Sequence, residues 1–216
     1  MKDLKAIRGR QYILRLIEEG EHEHQDFKFQ ISDARKIARS ISAFANNDGG
    51  RLLIGVKDNG VVAGIRNEED VYMIETAAET FCAPAVKVEM TAYKVEPHII
   101  VLKAEIPKAT RRPVMVKEER GAMKAYYRVK DENMTAPDML LSAWKYCSSP
   151  GGSLFQIDDR QRLLLNLLET EKELTLERYV VASHSSCAQA IDLIGRLIAA
   201  GVVNVAHNGT SFVVTL

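Results

Sequence analysis

Glu21, Asp26 and Lys28 stand close together near the start of the chain, and Asp58 follows in a turn-forming stretch. Gln25 to Ile31 alternates, so as a strand it carries Asp26, Lys28 and Gln30 on one wet face and Phe27, Phe29 and Ile31 on the other. Carboxylates can hold Mg²⁺ or Mn²⁺, and a lysine two residues on can stabilise an anionic transition state or orient water, which is the chemistry of a nuclease. A solvated strand face and a hairpin turn account for the same residues without chemistry, and both readings stand at this point. His22 and His24, flanked by Glu21 and Glu23, read more simply as a solvated turn than as ligands, and no metal site is expected from them.

Gly49-Gly50 could hold backbone N–H groups open to phosphate. A helix stop followed by a tight turn into a strand explains the same pair. No lysine-serine or lysine-threonine follows it, so the pair is not a P-loop. Between Lys108 and Lys130 lie Lys108, Arg111, Arg112, Lys117, Arg120, Lys124, Arg128 and Lys130, against only Glu118 and Glu119. Such a stripe can neutralise phosphates of DNA or RNA without reading their sequence. Because 29 basic side chains balance 29 acidic ones overall, a nucleic-acid surface has to be a local patch of this kind.

These residues need a scaffold, and 216 residues suffice for one substantial core and a small second domain. With 46% hydrophobic and 27% charged residues the chain has globular composition. Cys82, Cys147 and Cys187 are scattered with no metal-ligand spacing, which suits reduced thiols in the cytoplasm. Neither a signal sequence nor an apolar run of membrane-spanning length is evident, so secretion and a membrane location are not expected. Outside the Mg²⁺ or Mn²⁺ of the nuclease reading, no cofactor is expected.

Periodicity predicts helices over 3–19, 32–46 and 68–81, strands from Gln25, over 51–56, 86–95, 98–106 and 125–129, and a closing helix around Met139 to Trp144. Lys57-Asp58-Asn59-Gly60 is a hairpin signal that makes Val61 to Ile65 the antiparallel partner of 51–56. Lys108 to Met123 reads as a loop with room for one edge strand. The first domain, residues 1–147, is thus α/β in the α+β sense, with a mixed or antiparallel sheet and packed helices. Residues 148–154, containing Ser148-Ser149-Pro150-Gly151-Gly152-Ser153, form the linker to a second domain over 155–216. There, helices over 160–168 and 174–182, a third capped by Ser186 and Gln189, and a hairpin around Asn208-Gly209 have the layout of a winged helix. Its third helix has no Lys or Arg before Arg196, and from Asp158 onward five basic residues face seven acidic ones. Gln189 is its one obvious base-reading side chain, so dimerisation and protein docking rank equal with DNA contact. A symmetric homodimer is the default expectation.

The ordered string Ala43-Phe44-Ala45-Asn46-Asn47-Asp48-Gly49-Gly50-Arg51-Leu52-Leu53-Ile54-Gly55-Val56-Lys57-Asp58-Asn59-Gly60, followed by Val62 and Gly64, resembles the AlbA_2 family, also called Schlafen AlbA_2-like and once labelled divergent AAA-type. Glu21 and Asp26-Phe27-Lys28 are similar to the family's acidic residue, short gap and Glu-Phe-Lys, with aspartate where glutamate is usual. Tyr127-Arg128-Val129 is similar to its later strand. The resemblance covers roughly residues 15 to 145. It implies a nucleic-acid-binding protein, in bacteria often a transcriptional regulator with a carboxyl-terminal helix-turn-helix domain. Eukaryotic Schlafen relatives include ribonucleases built on three carboxylates, and the matching positions here are Glu21 and Asp26, with Asp58 as the third. A protein-interaction scaffold is the remaining alternative.

Overall fold

A computed structural model describes residues 5–65, 68–147 and 158–216; the expected linker, Ser148 to Ser153, lies outside the described residues. Two compact units result: Met1–Thr110 with Val114–Thr135, and Arg111–Pro113 with Ala136–Leu216.

The first unit is built on a mixed sheet in the order β1-β5-β6-β3-β2, from β1 (Ile7–Arg8), β2 (Gln25–Lys28), β3 (Gly50–Ile54), β5 (Glu89–Glu96) and β6 (Ile99–Ile106). β2 runs parallel to β3 and β1 parallel to β5, and the other pairs are antiparallel. Alternation along β3 sends Leu53 to one face and Leu52 and Ile54 to the other. Helix α1 (Arg10–Glu18) covers the first face with Ile13 and Leu16, against Phe27, Leu53, Val95 and Val101. Helix α2 (Ala34–Asn46) lies in the core on the second face, with Ile37, Ala38, Ile41 and Phe44 among Leu52, Ile54, Leu102 and Ala104. With both faces covered, β2 has no wet side, and Asp26 is only 4% exposed.

A second, antiparallel sheet packs against α2 from beyond. Its order is β4-β7-β8-β9, from β4 (Cys82–Ala83), β7 (Met115–Lys117), β8 (Met123–Val129) and β9 (Glu132–Thr135). A helix caught between two sheets buries its polar residues too, and Ser40, Ser42 and Asn46 are buried in α2. Ser40 Oγ accepts from the side-chain amide of Asn133 (2.9 Å), and the other two are satisfied by backbone at the second sheet. Ser42 Oγ donates to Val114 O (2.8 Å) and accepts from Tyr126 N (3.0 Å). The Asn46 amide donates to Val114 O and Tyr126 O (3.0 and 2.9 Å) and accepts from Val114 N (2.8 Å). Asn47 exchanges two hydrogen bonds with the backbone of Arg128 (2.9 and 3.0 Å).

Three local expectations are corrected. The first helix starts at Arg10, because Ile7 and Arg8 pair with Tyr93 and Lys94 as a strand. The hairpin after β3 shrinks to a single bridge between Val56 and Val62, since Gly55, at φ +92°, ends the strand and Ile65 bonds to Ile100 instead. The helix expected over 68–81 is α3 (Glu69–Thr76), followed by a wider turn of π type over Ala77–Phe81.

The second unit contains α4 (Asp138–Cys147), α5 (Asp159–Glu171), α6 (Leu176–Ser183), α7 (Cys187–Ala199) and a three-stranded sheet, β10-β12-β11, from β10 (Glu173–Leu174), β11 (Asn204–His207) and β12 (Phe212–Thr215). Capping boxes open two helices, Asp158 with Gln161 on α5 and Ser186 with Gln189 on α7. Leu164, Leu168, Tyr179, Ile194, Leu197 and Val214 form its core, and Met139 of α4 joins them. Although α4 reads in the sequence as the end of the first domain, it packs here on α7. Among the described residues no helix is long and apolar enough to cross a membrane.

Asn46→Ala removes an amide that bonds three backbone groups at once in a dry core; Val114 O keeps its bond from Ser42, while Val114 N and Tyr126 O lose theirs from the amide. A loss of about 2–4 kcal/mol is expected, as several buried groups lose partners together. Urea unfolding of the variant, compared with a surface control such as Lys36→Ala, checks it.

Candidate nucleic-acid interface and acidic cluster

β2 and the residues before it bring Glu21, Asp26 and Lys28 together. Lys28 Nζ lies 2.7 Å from Asp26 Oδ2 and donates to the carbonyl of Phe27 at 2.7 Å. Glu21 Oε1 accepts from Phe27 N at 2.8 Å. Burial, and then the adjoining Asp26 carboxyl, raise the Glu21 pKa from its ordinary value. Arg128 completes the group from β8. Only 1% exposed, it places Nη2 3.4 Å from Asp26 Oδ1, donates to Gln25 O (3.2 Å) and, through Nη1, to Asn133 Oδ1 (2.9 Å), and stacks 5.0 Å from the Phe44 ring centre.

Arg128 is therefore a correction to the expected stripe: it is the buried counter-ion of Asp26 and is closed to phosphate. Asp58 is exposed on its turn. Among the described residues no three histidine, cysteine or carboxylate side chains lie close enough to hold a metal ion, so the expected set of Glu21, Asp26 and Asp58 is not assembled.

The other cations of the stripe divide. Lys117, Arg120 and Lys124 are exposed around the turn joining β7 to β8, where Arg120 and Gly121 take left-handed φ values of 59° and 79°. The two acidic residues of this hairpin are engaged by α2. Arg39 grips Glu118 with Nε and Nη2 (2.8 and 2.7 Å), Tyr126 OH donates to the same carboxylate at 2.6 Å, and Arg35 stands 3.5 Å from Glu119. The arginine fork holds Glu118 down at about 2, and burial followed by the carboxylate pushes Tyr126 up to about 12. Lys130 is exposed beyond the end of β8. Lys108 pairs with Asp48 at 2.6 Å, whereas Arg111 and Arg112 group with the second unit, Arg112 lying 5.8 Å over the ring of Trp144.

Gly49 and Gly50 line a cleft of about 680 Å³ together with His24, Arg51, Lys87 and Lys108, but also Asp48, Glu89 and Glu105. The glycines themselves serve the fold. Gly49, at φ +81°, spends its N–H on Phe44 O (2.9 Å), and a β-carbon on it would sit 2.9 Å from Ile106 O. A β-carbon on Gly50 would overlap the Phe44 ring. An open phosphate nest is thus not formed at Gly49. Gln189 is exposed at the start of α7, with Oε1 accepting from Ser186 N (3.1 Å) in the helix cap.

Sequence reading missed Arg35 and Arg39. Their spacing of one helical turn on α2 was the available signal, since it places both on one stripe of the helix.

Two outcomes are expected. Arg128→Met leaves Asp26 buried beside Lys28 alone and costs about 3 kcal/mol, while adding Asp26→Leu recovers most of it; chemical denaturation of both variants decides. Glu118, lowered from 4.5 to about 2, contributes stability that is fully present above its unfolded value and is lost as pH falls through its folded one. Glu118→Gln should accordingly flatten the fall in Tm between about pH 4.5 and 2 relative to the parent protein.

Among solved structures the chain is similar to the DIP2311 protein from Corynebacterium diphtheriae, with 20% identity and a TM-score of 0.42, over 73% of this chain and 32% of that one. The chain thus spans about a third of that protein's length. No curated protein matches it. Residues 21–137 match the model of the family described as Schlafen, AlbA_2. That stretch is more than half of the chain and contains Glu21, Asp26, the Asn46-Asn47 pair and Arg128, and the protein belongs to the Schlafen AlbA_2 family.

Proposed function

We propose that this protein binds nucleic acid as a regulator of transcription. Phosphates contact the first domain through Lys117, Arg120 and Lys124, and the second domain is a winged helix that supplies dimerisation or further DNA contact. The observation that carries this reading is the state of the β7–β8 hairpin. Its three cations are exposed, while Glu118 and Glu119, which would otherwise cancel them, face arginines of α2. The hairpin therefore presents more positive charge than its sequence suggests, on two strands fixed to a buried helix. Phosphate contact needs cations held in place more than it needs base-reading groups. Lys108 and Lys130 lie on the same unit and are exposed, and can extend the contact.

Family membership supports the nucleic-acid reading in general terms. For the second domain, the support is its order of elements, three helices followed by a hairpin, with β10 as the third strand. The metal-dependent nuclease alternative has less support, because Asp26 is neutralised by Arg128 and Lys28 and Asp58 does not join it.

The test is a salt titration of binding to duplex DNA, single-stranded DNA and RNA probes, with Mg²⁺ present and the probes checked for cleavage. Each neutralised phosphate contributes about 0.9 to the slope of log affinity against log salt, so reversing Lys117, Arg120 and Lys124 to glutamate should lower that slope by roughly 2 to 3 on duplex DNA. Binding that ignores the triple reversal would remove the hairpin from the function. Cleavage that depends on Asp26 would restore the nuclease.

A further inference from the structure

The outward side of α7 is occupied. Ala190, Ile194 and Leu197 point into the core of the second unit, so on a 3.6-residue repeat the opposite side carries Ala188, Asp192, Gly195 and Ala199. Helix α4 lies on that side. Gly195 is buried in the crossing, and a β-carbon there would sit 2.5 Å from Ser142 Cβ and 3.1 Å from Ala143 N, so the two helices touch almost backbone to backbone. One turn along, Tyr146 OH hydrogen-bonds Asp192 and accepts from Arg196 Nε at 3.0 Å, and the Arg196 guanidinium lies 5.3 Å over the Tyr146 ring. Met139, Leu140, Ala143 and Trp144 of α4 are buried.

A glycine in mid-helix weakens that helix, so its presence at 195 needs a reason, and the close approach of α4 supplies one. The side of α7 turned away from its own core is the side a winged helix places in the major groove. That groove is about 12 Å wide and one helix with its side chains is about 10–12 Å across, so α7 with α4 on its back does not fit.

We propose that α4 is an intramolecular cover on α7, holding the second domain closed to duplex DNA until α4 is displaced. The proposal rests on the winged-helix reading of that domain. It assigns Ser142 and Tyr146 a regulatory role and Gly195 the role of receiving them. With the cover in place the exposed residues of α7 are its first turn, Ser186 to Gln189, and Arg196; the Gln189 carbonyl is spent on the helix cap and the Arg196 guanidinium on Tyr146 and Asp192.

Substitutions on α4 alone test this in the full chain, since they leave α7 unchanged. Ser142→Trp combined with Tyr146→Ala cannot fit against Gly195 and removes the latch to Asp192 and Arg196. Tyr146→Phe is the milder variant and deletes only the hydroxyl. Hydrogen exchange along α7 reports whether the cover has left, and duplex-DNA affinity reports the consequence. The double variant is expected to exchange faster around Gly195 and to bind duplex about tenfold tighter, the scale of one good base contact, with Gln189→Ala erasing the gain. Tyr146→Phe should shift both in the same direction by less. Faster exchange with unchanged affinity overturns the cover, as does an α4 that neither variant loosens. Adding Lys117→Glu and Lys124→Glu separates the two proposals. If the hairpin reading fails, those changes leave every affinity unaltered, yet the comparison between covered and uncovered α7 still returns its own answer.

Discussion

A guanidinium and a carboxylate shut away from water hold the first domain to a single arrangement. Removing Arg128 and Asp26 from solvent is expensive, and the attraction between them offsets that cost only where the remaining donors and acceptors are also satisfied. The fold meets this condition from four directions, except at Arg128 Nε, which has no hydrogen-bond partner among the described residues. β2 brings Asp26 and the carbonyl of Gln25, β9 brings Asn133, the ring of Phe44 lies under the guanidinium, and Asn47 fixes the backbone of Arg128 itself. The pair contributes little net stability by such accounting. Its effect is to penalise any register of β8 against α2 other than the one observed, because a slip would strand charge in a dry interior.

The ordered string of residues after α2 acquires a structural meaning here. Asn46 and Asn47 act as a short length of strand, offering amide donors and acceptors to Val114, Tyr126 and Arg128 where helix and sheet meet. Gly49 makes the left-handed turn, and Gly50 leaves room for Phe44. Residues that look ready to bind a ligand are consumed in joining the two layers. The exposed chemistry lies elsewhere, on the hairpin whose carboxylates are engaged by α2.

Much of the scaffold was legible. Apolar spacing marked α2 and the four longest strands, and Ser186 with Gln189 marked the start of α7, because these are signals confined to a few neighbouring residues. The longer-range facts were not. Nothing local distinguishes Arg128, which is buried, from Lys124, which is exposed, in a run that simply reads as basic. Four residues apart, the two share one face of β8, and the difference arises because Lys124 stands beside the exposed turn while Arg128 meets a carboxylate supplied from β2. β9 escaped notice because Glu132-Asn133-Met134-Thr135 lacks an apolar alternation, and Asn133 is half-buried through its bonds to Arg128 and Ser40. The wet face expected for β2 failed for the same reason: whether a strand is covered on one side or two is decided by elements far along the chain.

The hydrogen bonds that Asn46 and Asn47 make to β8 also set an order of events. They join residues 80 and 81 positions apart. Loop closure over that distance precedes any reward from the contact, and synthesis delivers the amino-terminal side first. While the chain emerges, α2 and the strands of the larger sheet exist before their polar partners do, with two amides destined for a dry interior still facing water. The first domain therefore cannot finish folding behind the ribosome in small steps. It waits for Tyr126 and Arg128 to arrive, so a chain interrupted between β6 and β8 exposes an unfinished surface instead of a smaller stable domain.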